Sequence, residues 1–392
     1  MRYLPAVILL VIIAATMRDD FALTLIYLFA GAFALGSWWS SRALAQVNYE
    51  RQFSSHVFFG EKIEVRLRLN NHGWLPVLWL KLQEALPVGL SSSPTYTRVT
   101  GLGANAHTDF GYVLEARKRG YYALGPLFIT SGDLLGLSPE QQLEKAAQHI
   151  TVYPRIIALS QVKIPSRSPQ GTLRHKQPVF EDPSRLFSKR DYVAGDSLRR
   201  VDWKATASSG RMQVKLFEAS ISLETLIILD LETQNYDYHS RIDSGELAIV
   251  IAASLATWIA GKHQTVGLKI NGLDTPSGGE PQYLPPRKGQ AHLIRILETL
   301  ARAKMTEATS LGSLIQQQRS QLPWGTTLIV ISGQAGQPVL NELHQARRAG
   351  QNALLILAGP VGYSQEITRQ AALLGIPVVG IANERELDIW RK

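Results

Sequence analysis

Cysteine is absent from this 392-residue chain. That removes disulfides, thiolate zinc sites and thiol nucleophiles together, and it leaves a reducing compartment permissible. The common catalytic signatures are missing as well: there is no GxxxxGK(S/T), no GxSxG and no HExxH, and the nine His show no ligand spacing. If nucleotide energy drives this protein, a partner supplies it. Charged residues make up only 19% and apolar residues 45%, near the globular average, so neither disorder nor a coiled coil accounts for the chain. At roughly 150 residues per domain, the length argues for two or three folded units.

Two uncharged runs open the chain, residues 3–17 and 21–39, separated by Arg18, Asp19 and Asp20. The pattern predicts a transmembrane helical hairpin over 1–45. At 1.5 Å per residue the second run covers about 28 Å, close to a hydrocarbon core, and the first about 22 Å. Arg2, Arg42 and Arg51 flank the outer ends. The positive-inside rule therefore predicts a multi-pass protein of the plasma (inner) membrane, in contact with the bilayer through residues 3–39, with residues 42–392 cytoplasmic. Reading residues 1–16 as a signal peptide leaves the second run as a stop-transfer helix with the same sidedness.

Residues 46–154 show period-2 patterning, clearest where Ile63, Val65, Leu67 and Leu69 alternate with charged neighbours. Strand-like runs at 62–70, 76–84, 95–100, 107–116, 121–130 and 149–153 predict an antiparallel β-sandwich, a binding or spacer module. A basic linker over 155–188 follows. Residues 155–215 hold thirteen Lys or Arg against five Asp or Glu, nearly the whole of the chain's +9 excess. Such charge suits anionic lipid at about 1 kcal/mol per well-placed basic residue, or an acidic protein. Nucleic acid is disfavoured, because aromatic platforms and base-reading motifs are not recognisable.

The stretch Arg190–Glu218 carries charges spaced to pair. Asp196 suits a helix N-cap and Gly210 the position past the C-cap. Asp196 meets Arg199 and Arg200 at i+3 and i+4, and Arg199 meets Asp202 at i+3, with Val201 and Trp203 as apolar anchors. The spacing is that of a domain-entry clamp; alternatively, it is a recognition surface in which Arg190, Arg199 and Lys204 face a partner. Here the chain resembles domain of unknown function family 58, bacterial proteins often associated with MoxR-type AAA+ ATPases. The resemblance rests on Arg190, Tyr192, Gly195, Asp196, Arg199 or Arg200, Asp202 and Trp203, with Phe217-Glu218 trailing, and on Arg119-Gly120-Tyr121, Gly132-Asp133 and Val152-Tyr153-Pro154. Where that family continues Ser-Ala-Arg, this chain has Thr206-Ala207-Ser208, so an Arg contact is lost there unless Arg211 substitutes.

Beyond residue 222, apolar strands at 223–229, 264–270, 326–331, 353–357 and 377–381 alternate with helical segments, including 246–262 and 290–304. Residues 189–392 thus read as the motif plus a doubly wound α/β domain. The resemblance implies a von Willebrand factor type A-like fold, with Asp230 at the first metal-ligand position. Mg²⁺ demands about six oxygen ligands. The sequence offers Asp230 and Glu232 as candidate ligands, but Ser332-Gly333 where a later Asp is expected. The expectation is a non-enzymatic, membrane-anchored adaptor or scaffold for protein-complex assembly or maturation, without a cofactor unless Mg²⁺ binds at Asp230. Its partner is a MoxR-type AAA+ ATPase or that ATPase's client, met through Arg190, Tyr192, Gly195, Asp196, Arg199, Arg200, Asp202, Trp203 and Lys204. The rival reading is a metal-dependent enzyme using Asp230 and Glu232.

Overall fold

The computed structural model describes residues 12, 20–133, 136, 139–160, 162, 181–193, 196–219, 224–307, 310–360 and 365–390. The first apolar run, most of the basic linker and Gly195 lie outside the described residues. The chain forms two compact units, Met1–Arg155 with Asp274–Gly278 and Leu297–Ala303, and Ile156–Leu273 with Gly279–Ile296 and Lys304–Lys392.

In the first unit the second apolar run forms helix α1 (Asp20–Leu44). Its Leu23–Leu44 portion is long and apolar enough to cross a membrane, and almost all of it is exposed. Only its last turns are covered. Ala43 and Leu44 are buried with Leu67, Leu69, Val77 and Leu80, and the Trp39 indole Nε1 donates to the Pro76 carbonyl at 3.0 Å.

Ten strands follow: β1 (Val47–Gln52), β2 (His56–Phe58), β3 (Lys62–Asn71), β4 (Val77–Ala85), β5 (Thr95–Leu102), β6 (His107–Glu115), β7 (Gly120–Leu124), β8 (Leu127–Ser131), β9 (Gln141–Lys145) and β10 (Gln148–Tyr153). They pair in the orders β1-β3-β6, β5-β4-β8-β9 and β2-β10-β7. All ladders are antiparallel except β2 with β10. Alternation in β3 buries Ile63, Val65, Leu67 and Leu69 and leaves the charged residues outside, as the pleat requires. The predicted strand at 121–130 is two strands, divided at Gly125-Pro126, because proline has no N–H to donate to a ladder.

One polar interaction crosses this core. Arg51 on β1 and Glu84 on β4 are both fully buried, with Nη2 2.6 Å from Oε1. Tyr112 donates its hydroxyl to Glu84 at 2.6 Å, and Arg51 Nη1 donates to the Leu124 carbonyl at 3.1 Å. Burial pushes the Glu84 carboxyl up from its ordinary value, against the pull of the Tyr112 hydroxyl and the Arg51 charge. Arg51 is therefore committed to the protein interior, whereas Arg42 at the end of α1 is exposed.

In the second unit, β11 (Glu181–Asp191) and β12 (Gln213–Ala219) form an antiparallel ribbon, and the short helix α2 (Trp203–Ser209) lies between them in sequence. The remaining elements build a six-stranded sheet. Its strands are β13 (Glu224–Leu229), β14 (Thr265–Ile270), β16 (Leu284–Arg287), β18 (Thr327–Ser332), β19 (Asn352–Ala358) and β20 (Val378–Ile381); two-residue strands β15 (Leu273–Asp274) and β17 (Ala303–Lys304) pair separately. The order is β16-β14-β13-β18-β19-β20, parallel throughout except for antiparallel β16 at one edge. Edge strand β16 contains two prolines, which read as a breaker in the sequence but are tolerated where one side of a strand makes no ladder.

Leu226, Ile228, Leu328, Val330, Leu355 and Leu357 pack on one face of the sheet with residues of the helices Leu311–Arg319, Gln337–Arg348 and Gln365–Leu373. The intervening Ile227, Leu229, Ile329 and Ile331 are equally buried and point to the other face. Helix Arg241–Gly261 passes the same length and hydropathy test as α1, but it is mostly buried: it is a core helix packed on β13 and β14.

Replacing Arg51 by Met leaves the Glu84 carboxylate buried without its counter-charge. The strand-rich unit should lose about 3–5 kcal/mol, read from urea unfolding of the detergent-solubilised chain. Adding Glu84→Leu should restore most of the loss; a single variant as stable as the parent contradicts the assignment.

Candidate functional site

Two groups of sequence-nominated residues occupy different places in the second unit. The first is the charged motif. The Arg190 guanidinium forks onto Asp196, with Nη1–Oδ2 and Nη2–Oδ1 both 2.7 Å, and the Val193 N–H also donates to Asp196 at 3.0 Å. These hydrogen bonds, Arg190 first, hold the Asp196 carboxyl below the ordinary carboxylate range. Asp196 is thus not the N-cap of the helix. Leu198–Arg200 form a single 3-10 turn, Val201 turns extended and bridges to Val214, and only then does α2 begin.

Asp202 caps that helix, its Oδ1 accepting from the Ala205 N–H at 3.2 Å, while Oδ2 lies 2.8 Å from Lys189 Nζ. The Lys189 hydrogen bond, then the Ala205 N–H, lower the Asp202 carboxyl. Gly210 closes the helix at φ 67°, a left-handed position that glycine fills without strain. Tyr192 is half-buried and bonds through its backbone N–H to the Met212 carbonyl at 2.8 Å.

The clamp leaves an exposed face. Val201 is buried as expected, but Trp203 is 66% exposed, and Val193 and Leu198 stand out beside it in the same motif. Arg199, Arg200 and Lys204 are exposed as well. Trp203 is therefore a surface aromatic and not a core anchor. The motif divides its labour: Arg190, Asp196 and Asp202 hold the backbone, while Arg199, Arg200, Trp203 and Lys204 face solvent.

The second group gathers at the carboxyl ends of three neighbouring strands. Asp230 follows β13, Asn271 follows β14 and Ser332 ends β18. Sheet order reverses between β13 and β18, the place where open α/β sheets bind ligands. Asp230 is fully buried. Its Oδ1 accepts from Asn271 Nδ2 at 2.7 Å and from the Glu232 N–H at 3.0 Å; its Oδ2 accepts from Asn235 Nδ2 at 2.7 Å and from Ser332 Oγ at 2.6 Å. The Leu231 N–H donates to Asn271 Oδ1 at 2.6 Å, which fixes the Asn271 amide with its NH₂ toward the carboxylate. Asn235 also reaches Glu232 Oε2 at 3.1 Å, and the Tyr236 hydroxyl donates to the Asp230 carbonyl at 2.6 Å.

These residues do not fit a divalent cation. Both Asp230 oxygens face N–H or O–H donors where a hard cation needs lone pairs. Among the described residues, no group of three or more His, Asp or Glu is gathered to hold a metal ion. At Gly333 an Asp is sterically excluded: a Cβ there would meet the Asn235 carbonyl and the Tyr236 ring. The loop donors occupy the room a later carboxylate would need. A cavity of about 10 Å³ lined by Tyr236, Ser240, Ser244, Gly333 and Gly359 is the space beside them, enough for about one water and far below a substrate pocket.

Sequence reasoning nominated Asp230 and Glu232 but missed Asn235, Asn271 and Ser332 as their donors. A polar residue directly after an apolar strand was the available signal at Asn271. It also missed Tyr238 and Ile242, which stand exposed near this edge, with the Arg241 guanidinium 4.9 Å from the Tyr238 ring centre.

Residues 188–360 match the family described as "Protein of unknown function DUF58". The uncharacterized protein YeaD of Bacillus subtilis (strain 168) is 22% identical over 337 residues, 84% of this chain and 79% of that protein. An uncharacterized protein of Mycobacterium tuberculosis is 27% identical over 125 residues, 32% of this chain and 38% of its own length. Among solved structures, a CARDB domain from Pyrococcus furiosus, crystallised with di-metal ions, is 14% identical with a TM-score of 0.21, covering 27% of this chain and 91% of that domain.

Burial, then the Asp230 charge, push the Glu232 carboxyl above its ordinary value. The folded state then holds that proton more tightly than the unfolded state, so stability falls as pH rises from the ordinary carboxylate value through the raised one. Glu232→Gln should therefore stabilise the protein at pH values above that window and have no such effect below it. Thermal melts on both sides of the window check this; an equal effect on both sides contradicts it.

Proposed function

We propose, on the premise that this chain belongs to the DUF58 family, that it is a non-enzymatic, membrane-anchored adaptor for a MoxR-type AAA+ ATPase or its client. In this reading the six-stranded sheet is a von Willebrand factor type A-like platform and the strand-rich unit a sandwich-like spacer. Helix α1 is one span of an inner-membrane hairpin that keeps residues 42–392 in the cytoplasm, with the basic linker near acidic surfaces at the membrane.

The observation that carries the proposal is the solvent-facing set Arg199, Arg200, Trp203 and Lys204 on a backbone held by Arg190–Asp196 and Lys189–Asp202. An exposed Trp beside Arg residues is the composition of a binding hot spot. Holding such groups in place by ion pairs lowers the ordering cost of association. Binding is favoured over turnover because the Asp230 carboxylate is engaged on both oxygens by protein donors.

The test is capture of the ATPase from native membranes by the tagged full-length chain. Trp203→Ala should weaken capture by about 30-fold or more, the size of a hot-spot loss, and Arg199→Glu should weaken it in the same direction. Exposed residues of the strand-rich unit such as Val88 serve as controls. Capture unchanged by both motif variants contradicts the assignment.

A further inference from the structure

The exposed apolar surface of the first unit is unevenly distributed. Trp74 is 70% exposed and Leu78 47%. They lie on either side of Pro76, whose carbonyl accepts the Trp39 indole N–H at 3.0 Å. Two residues of extended chain span at most about 7 Å, so this hydrogen bond fixes Trp74 and Leu78 near the level of Trp39 on α1. Trp38, also exposed, shares that level.

A cleft of about 370 Å³ opens between the helix and this edge, lined by Ala32, Leu35, Gly36, Trp39, Val77 and Leu78 among others. Ser40, Ser131 and Asp133 also line it, Asp133 buried with its side chain against Gly36 of α1, and the remaining lining is mainly apolar. Arg42, one turn beyond Trp39, is exposed. Along the helix the order is therefore apolar residues, then tryptophans, then a cation. That is the order in which a bilayer presents acyl chains, interface and phosphate.

We propose that the Trp74–Leu78 edge of the strand-rich unit is a second membrane contact, seated in the interface of the same leaflet as Trp38 and Trp39, with a phospholipid acyl chain in the cleft beside α1. The proposal rests on α1 being the anchor. A cleft of this size is within the range of small-ligand sites, and Ala32, Leu35, Gly36 and Trp39 of α1 form one wall of it. Arg42 supplies charge complementary to the phosphate of the same lipid. A tether joined to its head in this way limits the head's orientation to the membrane, which a single flexible linker does not.

The absence of native cysteine makes the test direct. Single-cysteine forms of the full chain, Leu28→Cys, Trp74→Cys, Leu78→Cys and Val88→Cys, are labelled with an environment-sensitive fluorophore. They are then reconstituted into phosphatidylethanolamine–phosphatidylglycerol vesicles, one preparation with acyl chains brominated near the glycerol to read positions 74, 78 and 88, and a second with chains brominated near the methyl end to read position 28. Leu28 is an exposed residue of α1, and Val88 is exposed three residues beyond the far end of β4, a strand that itself spans about 26 Å at 3.3 Å per residue.

Labels at 28, 74 and 78 should lose about half their emission or more, as expected of groups sunk into the acyl boundary, and the label at 88 should not. Quenching at 28 with none at 74 and 78 overturns the second contact while the anchor stands. No quenching at 28 removes the anchor and the proposal with it, and equal quenching at 74, 78 and 88 overturns a localised edge.

Discussion

A carboxylate with no access to water must be satisfied by the protein around it, and the second unit is arranged about that requirement at Asp230. An uncompensated charge in such a position costs several kcal/mol. Here the four hydrogen bonds come from Asn271, Ser332, Asn235 and the Glu232 backbone, which ties three strand ends and one loop to a single side chain. The loop turns inward to deliver Asn235, and this brings Tyr236 over Gly333, where no larger residue fits. The donors to Asp230 and the crowding at Gly333 thus come from one loop, which occupies the room that a later ligand would need.

The same economy of charge recurs elsewhere. Arg51 and Glu84 are spent inside the strand-rich unit, and Arg190 and Lys189 are spent on Asp196 and Asp202. In the motif the ion pairs fix backbone while Trp203 remains outside; Trp74 stands exposed beside α1, where the Trp39 indole is tied to the Pro76 carbonyl. Aromatic residues with few rotatable bonds make large contacts at small entropic cost. Exposed aromatics of this kind are suited to contact with partners and surfaces.

Much of this was legible in the residues because it follows from short-range rules. Period-2 patterning located β3, β4, β5, β6 and β10, and apolar runs located the parallel strands to within a residue or two. Gly210 marked a helix end because few other residues accept its backbone angles. What was illegible depends on distance in space. The Arg190 guanidinium meets Asp196 in two hydrogen bonds at once, a pairing outside the expected i+3 and i+4 set, with the Arg200 charge also acting on Asp196. Trp203 reads as an anchor by composition, and only the extended turn at Val201 shows that it points outward. Strand β16 was hidden by its prolines, and Asn235 and Ser332 are unremarkable until the fold brings them to Asp230.

Protein donors, and not a cation, complete the Asp230 site. Adding Mn²⁺ to the full-length chain carrying ¹⁵N-labelled asparagine, and following the side-chain amides of Asn235 and Asn271 by paramagnetic broadening, tests it most directly. Both amide signals should persist, no more broadened than those of surface asparagines, as the metal is raised to excess. Selective loss of the Asn235 and Asn271 signals at stoichiometric Mn²⁺ contradicts the claim.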